Sequence, residues 1–231
     1  MPDIACNLCH IQDNIKVACE KSGRNYFDIT LIGVTKTIDT DRIAQLVNLG
    51  VKDLGENRVQ ELLEKVPVID RSVNWHLIGH LQTNKVKSIV DKVKLIHSVD
   101  SFRLAEEINK QAKALNICAN ILIEINIADE SSKYGIKPNE LIDFLEEISQ
   151  YQNIVTKGLM CVAPFVEKAE ENRDYFRKMR RMFVDSNEKS LNNINMQYLS
   201  MGMTNDYEIA IEEGANLVRI GTGIFGERDY T

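Results

Sequence analysis

No stretch of the 231 residues is long and apolar enough to span a bilayer, and the opening Met-Pro-Asp has neither a basic start nor an apolar signal core. These absences argue against a helical membrane protein and a secretory precursor, and predict a cytoplasmic chain. Positive charge is not in excess either. Lys and Arg number 28 against 34 Asp and Glu, for a net charge of −6 and a pI near 5.4, which argues against a nucleic-acid or acidic-membrane partner. The one basic cluster, Arg177-Lys178-Met179-Arg180-Arg181, lies in a helical pattern rich in acids and reads as a solvated face. The five cysteines (Cys6, Cys9, Cys19, Cys118 and Cys161) are odd in number and lack framework spacing, as suits a reducing compartment. Spacing among the four histidines suggests no metal ligand set. A Gly/Ser-rich linker and low-complexity tracts are also missing, so residues 1–231 are predicted to form a single domain.

Cys6-Asn7-Leu8-Cys9-His10 matches the spacing of covalent haem attachment, but that chemistry normally follows export. Ile4, Leu8, Ile11, Ile15 and Ala18 recur at intervals of three and four across the same segment. It therefore reads as an amphipathic helix, with the cysteines as helix residues.

Apolar residues make up 44% of the chain and charged residues 27%, ordinary values for a soluble globular protein. Short apolar runs at 29–35, 52–56, 74–79, 95–99, 119–127, 155–162, 197–201 and 217–221 read as strands. Amphipathic stretches at 41–49, 59–65, 84–92, 101–114, 139–150, 167–187 and 206–213 alternate with them, and the 167–187 stretch is expected to extend beyond the wall. Strict β-then-α alternation implies parallel strands with right-handed crossovers. Eight such units in about 200 residues predict a compact (β/α)8 TIM barrel with an additional N-terminal helix. A doubly wound open sheet is the alternative.

In a barrel the chemistry gathers at the carboxyl ends of the strands. Lys36 ends the otherwise apolar run that begins at Ile29, just before the turn-and-cap pattern Asp39-Thr40-Asp41. A partly desolvated amine there loses its proton more readily and can attack a carbonyl. Ser200-Met201-Gly202-Met203-Thr204-Asn205-Asp206 joins strand seven to a helix and reads either as a phosphate seat or as an N-cap with Asn205 and Glu208 as a capping box. Val218-Arg219-Ile220-Gly221-Thr222-Gly223 follows, in the loop where phosphate-binding barrels hold their ligand. If Ile220 faces the helices, Arg219 points into the barrel. There it meets either a ligand or a structural partner such as Glu56 or Asp100. A lysine nucleophile, an arginine and a phosphate seat together suit a phosphorylated aldehyde, and pyridoxal 5′-phosphate is the obvious candidate. Lys36 would form the Schiff base, and Ser200, Gly221 and Thr222 would hold the phosphate. Arg219 would face the pyridine nitrogen; a guanidinium stays protonated, so it disfavours the pyridinium form and weakens the ring as an electron sink.

Five ordered motifs carry a family resemblance over nearly the whole chain. They are Gly33-Val34-Thr35-Lys36, the stretch from Gly55 to Glu61, the stretch from Trp75 to Lys85, the stretch from Leu199 to Asp206, and the stretch from Val218 to Gly226. In these the chain resembles the YggS/PROSC family of pyridoxal phosphate homeostasis proteins, single barrels similar to the N-terminal domain of alanine racemase. The resemblance implies that Lys36 bears the cofactor and that Ser200, Arg219, Gly221 and Thr222 fall on cofactor positions. It also puts Asn57 near the cofactor and Met201 against its ring, and it gives Thr204 the place where relatives often have Ser. Lys133, in the loop after strand five, is either an auxiliary amine for cofactor exchange or a surface lysine. His76 reads as structural, and His80 as a group able to line the site.

The expected function is intracellular buffering, storage or delivery of the cofactor, with indirect effects on amino-acid and keto-acid metabolism. Transient contact with apo-enzymes, a monomeric state and no catalytic residue of the chain's own go with it. A small amino-acid racemase is the alternative. Such racemases draw a second base from an additional β domain, which a chain ending at Thr231 is expected to lack.

Overall fold

The computed structural model describes residues 3–70, 72–130 and 133–227. Eight strands close into a parallel barrel in chain order: β1 (Thr30–Val34), β2 (Asp53–Glu56), β3 (Asn74–Leu77), β4 (Leu95–Val99), β5 (Ala119–Glu124), β6 (Ile154–Met160), β7 (Ile194–Ser200) and β8 (Leu217–Ile220). Pairing of β1 with β8, Ile32 opposite Arg219, completes the ring. The (β/α)8 expectation holds and the open sheet is excluded. Side chains alternate across each strand, so each strand feeds two apolar layers. Ile32, Leu95, Leu122, Met160 and Leu217 pack together in the lumen. Their neighbours Leu54, Ile96, Ile121, Ile123, Leu199 and Val218 join the larger core between sheet and helices.

The helices are α1 (Ile4–Ser22), α2 (Thr40–Asn48), α3 (Val59–Lys65), α4 (Val86–Ile89), α5 (Phe102–Ala114), α6 (Leu141–Ile148), α7 (Arg173–Glu188), α8 (Tyr207–Glu212) and α9 (Thr222–Phe225). Asp3 caps α1 by accepting from the Ala5 and Cys6 amides, and Gly23 ends it in the left-handed region. Its apolar stripe is buried, whereas Cys6 and Cys9 are exposed. The stripe lies on α8 and α9, where Asn7 Nδ2 donates to Ile224 O (3.0 Å) and Arg24 Nη1 to Ile211 O (2.7 Å).

Three boundaries differ from expectation. Residues 84–92 form a 3-10 turn, Thr83–Lys85, followed by the short α4, which no side chain caps. The strand expected over 119–127 stops at Glu124, because the Asn126 side chain bonds to the Glu130 backbone in both directions and turns the chain. The 167–187 helix lies on the wall rather than beyond it. Phe176, Met179 and Phe183 of α7 are buried, and Arg173 binds Glu212 (2.6 Å) and Glu213 (2.8 Å) beside α8.

Among the described residues, no helix is long and apolar enough to cross a membrane.

Candidate functional site

Lys36 leaves β1 on the same side as Ile32 and Val34, which places it over the lumen. The backbone on either side of it is clamped by three charged side chains. Lys65 Nζ, at the end of α3, donates to Thr35 O (2.8 Å), Glu56 Oε1 (2.7 Å) and Glu61 Oε2 (3.3 Å). Thr35 Oγ1 donates to Glu56 Oε1 (2.6 Å), and the Thr37 amide donates to Glu61 Oε2 (2.7 Å). Thr37 adopts φ 62°, a left-handed conformation that a β-branched residue takes only when its surroundings impose it. Burial raises the Glu56 pKa, with Lys65 and Thr35 opposing. Burial acts the same way on Glu61, but bonds from Thr37 and Lys65 outweigh it and lower its pKa.

Arg219 is the other charged group, and it is buried. Ile220 faces the outer core, as the conditional reading required, so Arg219 projects inward. Its partners are neither Glu56 nor Asp100. Nη1 donates to Ser200 Oγ (2.6 Å) and Nη2 to Cys161 O (2.8 Å). Glu56 is held by Lys65, while Asp100 takes His80 Nδ1 at 3.1 Å. Burial lowers the Arg219 pKa, opposed by the nearby Cys161, Asp206 and Glu124. Glu124 shares the lumen side of β5 with Leu122. Burial and Asp100 raise its pKa to about 7, with Arg219 opposing.

The loops after β7 and β8 meet at Thr204. Its Oγ1 accepts from the Gly223 amide (3.2 Å) and from Thr222 Oγ1 (3.2 Å). Gly202 bends the first loop at φ 90°, and a Cβ there would lie 2.6 Å from Ala210 Cβ. The Asn205–Glu208 capping box, one of the two readings of this loop, does not form. Asp206 is the N-cap of α8. Its Oδ1 accepts from the Met203 amide (2.7 Å) and its Oδ2 from Asn172 Nδ2 (2.8 Å), which also donates to Pro164 O (3.0 Å). The loop is thereby tied to the one after β6.

These groups surround one cavity of about 480 Å³, within the roughly 300–1,000 Å³ usual for small-molecule sites. Lys36, Asn57, Thr204, Arg219, Gly221 and Thr222 line it. Ser200 and Met201 do not. Ser200 is fully buried between Arg219 and His97, while Met201 is in the outer core, since consecutive strand residues face opposite ways. Lys133 lines the cavity and pairs with Glu130 (2.7 Å); Ser131 and Ser132 of the same motif lie outside the described residues. His80 is on the rim, stacked on Tyr134 with ring centroids 3.9 Å apart, and is not a lining residue. Sequence reasoning missed the apolar wall formed by Val162, Pro164 and Phe165, and it missed Glu124, which is buried near Arg219 and is not a lining residue. Position at a strand end was the available signal for Glu124.

A parallel barrel with a lysine at the end of β1, an arginine on β8 and hydroxyls between the last two loops defines a class. The model of the alanine racemase N-terminal domain matches residues 6–229. Alanine racemase of Clostridium difficile 630 covers 97% of this chain with a TM-score of 0.71, at 18% identity and over 56% of its own length, a likeness of fold alone. The pyridoxal phosphate homeostasis protein of Aquifex aeolicus is 44% identical over 228 residues, covering 98% of this chain and 99% of the relative. PipY of Synechococcus elongatus PCC7942, solved with PLP bound, is 30% identical with a TM-score of 0.83, covering 97% of this chain and 100% of PipY. The chain belongs to the YggS/PROSC family of pyridoxal phosphate homeostasis proteins.

Proposed function

We propose that the protein binds pyridoxal 5′-phosphate on Lys36 and serves as a cytoplasmic carrier that buffers, stores or delivers it. The observation that carries this reading is the shared cavity. Lys36, from one end of the sequence, and Thr204, Arg219, Gly221 and Thr222, from the other, face one space. The donor chemistry fits the group. A Cβ at Gly223 would lie 3.2 Å from Thr204 Cγ2; glycine lets its amide reach Thr204 Oγ1 and fix that hydroxyl beside Thr222 at the cavity, where a phosphate would find hydrogen-bond donors. The PLP-bound PipY structure supports the same assignment.

Bound pyridoxal phosphate supplies an electrophilic aldehyde on an electron-withdrawing ring. Lys36 Nζ is the attachment point, linked with loss of one water, and the Lys65 clamp sets its direction. Thr204, Thr222 and Gly221 would hold the phosphate, and Asn57, which lines the same cavity, would border the ring. Arg219 would face the ring nitrogen as a donor that gives up no proton, which would favour holding and releasing the cofactor over carbanion chemistry. The five thiols are free, and three are exposed, which suits a reducing compartment. A single-domain monomer that meets apo-enzymes at the apolar rim, where Phe165 is 87% exposed, completes the proposal.

The test is borohydride reduction of the loaded protein followed by peptide mapping. Label is expected on Lys36 alone, and Lys36→Ala should abolish it. A Lys36→Ala protein still labelled in the same peptide would sink the assignment. Incubation with single-enantiomer amino acids in deuterated water should give no sustained exchange. Sustained exchange would replace the carrier with a racemase.

A further inference from the structure

From Arg219 an unbroken row of hydrogen bonds runs through the lumen to the far end of the barrel. Arg219 Nη1 donates to Ser200 Oγ, which lies 3.0 Å from His97 Nδ1. His97 Nε2 is 2.9 Å from His76 Nδ1, and His76 Nε2 is 2.9 Å from Asp53 Oδ1. Five strands contribute: β8, β7, β4, β3 and β2, whose first residue is Asp53. Ser200 and His97 are wholly buried, His76 is 1% exposed and Arg219 4%. Asp53 alone reaches the amino-terminal rim, where Asn74 Nδ2 and Lys94 Nζ also donate to its Oδ1, each at 3.2 Å.

Proton counting gives this row a direction. Each neutral imidazole has one N–H and one bare nitrogen. Burial lowers the His76 pKa against the opposing pull of Asp53, and burial, His76 and Arg219 together hold His97 well below its usual value. Burial thus favours the neutral form of both rings. Burial would raise the Asp53 pKa, but His76 and Lys94 outweigh it, and the carboxylate stays ionised and accepts. His76 must then carry its proton on Nε2, which leaves Nδ1 bare. His97 must donate from Nε2, leaving its own Nδ1 to accept. Ser200 must give its O–H to His97, so its lone pairs remain for Arg219. The opposite order would set a bare His76 Nε2 against the Asp53 carboxylate, two acceptors at 2.9 Å.

We propose that Asp53, His76, His97 and Ser200 are positioning residues that form a one-way hydrogen-bond chain, anchored on the Asp53 carboxylate, which turns the Ser200 lone pairs toward Arg219 and aims its guanidinium into the cavity. The proposal deepens the carrier reading and rests on it for the identity of the ring that Arg219 meets. The charge of one carboxylate at the far rim thereby reaches the cofactor end through groups that bulk water does not touch. Charged or titratable groups facing the row are Lys94 beside Asp53, and Cys161, Asp206 and Glu124 around Arg219.

Nitrogen-15 NMR of the cofactor-free protein at pH 7 tests the chain directly. His76 and His97 should both be neutral, protonated on Nε2 and bare on Nδ1. A doubly protonated ring, or an Nδ1–H form of either, overturns the proposal. In Asp53→Ala the single tautomer should give way to a mixture, and Asp53→Glu should restore it. With pyridoxal phosphate added, Asp53→Ala and Ser200→Ala should bind about fivefold to tenfold more weakly, the scale of one neutral hydrogen bond, with a shifted absorbance band. A wild-type band and dissociation constant in both variants would overturn it as well, provided their urea midpoints show them folded. Absence of label on Lys36 would defeat the carrier proposal alone, since the tautomers are read without cofactor.

Discussion

Replacing Lys65 with methionine isolates the clamp that presents Lys36. Methionine keeps most of the volume but removes the donors to Thr35 O, Glu56 Oε1 and Glu61 Oε2. Glu61 is partly open to water and can rehydrate, whereas Glu56 is fully buried and cannot. Left unpaired, the Glu56 carboxylate costs about 3–5 kcal/mol, the usual range for stripping one partner from a buried pair. Protonation sets a ceiling. Taking up a proton at pH 7 from the ordinary Glu value of 4.5 costs about 2.5 × 1.36, roughly 3.4 kcal/mol, to which the lost bond to Thr35 O adds about 1 kcal/mol. At pH 5 the protonation cost falls to about 0.7 kcal/mol. The sign is that of a carboxyl whose folded pKa is raised: the penalty is complete above the folded pKa and fades as pH falls toward the unfolded one. Urea unfolding should therefore show Lys65→Met less stable than wild type by about 4 kcal/mol at pH 7 and about 2 kcal/mol at pH 5. Borohydride labelling of Lys36 should also slow, because Thr35 O loses its Lys65 bond and Glu61, which holds the Thr37 amide, loses its anchor. A gap below about 1 kcal/mol at pH 7, or one that does not narrow toward pH 5, would refute the clamp.

Two further outcomes follow from Glu124, near Arg219, and from Gly202 in the loop after β7. Glu124, with a pKa of about 7 against 4.5 unfolded, binds more protons folded than unfolded, so the protein should lose up to about 3 kcal/mol as pH rises between those values. Glu124→Gln should flatten that segment of the urea-measured profile and be the more stable form at pH 8; an unchanged slope would remove Glu124 as its source. Gly202→Ala forces a Cβ to 2.6 Å from Ala210 Cβ at φ 90° and should cost roughly 2–4 kcal/mol with weaker phosphate retention, measured by urea midpoint and inorganic phosphate titration. A wild-type midpoint would show that the loop relaxes without cost.

The barrel was legible because its strands are short apolar runs separated by stretches of helical period, and that alternation is a local property. Lys36 and Arg219 were legible for the same reason: a charge at the end of an apolar run has few places to go. Parity limited the rest. Ser200 and Met201 sit side by side at the end of one strand and cannot both face inward, yet which of them does depends on strand orientation. Ser200 meets His97 103 residues earlier in the chain, a contact no local pattern encodes. Lys65 looked like the polar end of an amphipathic helix. Its burial against Glu56 arises only because α3 ends beside the carboxyl end of β1.

Helix α1 has a consequence for how the chain is made. Its apolar stripe finds its cover on α8 and α9, about two hundred residues downstream. At synthesis rates of about 5–20 residues per second, that stripe waits roughly 10–40 s for its partner. The pairing is also among the most distant in sequence that the fold contains, so it belongs to the slow, late part of folding. The helix that emerges early thus waits for the two helices, carrying Tyr207 and Thr222, that emerge late. A nascent chain halted before α8 would display Ile4, Leu8, Ile11 and Ile15 to the cell's chaperones.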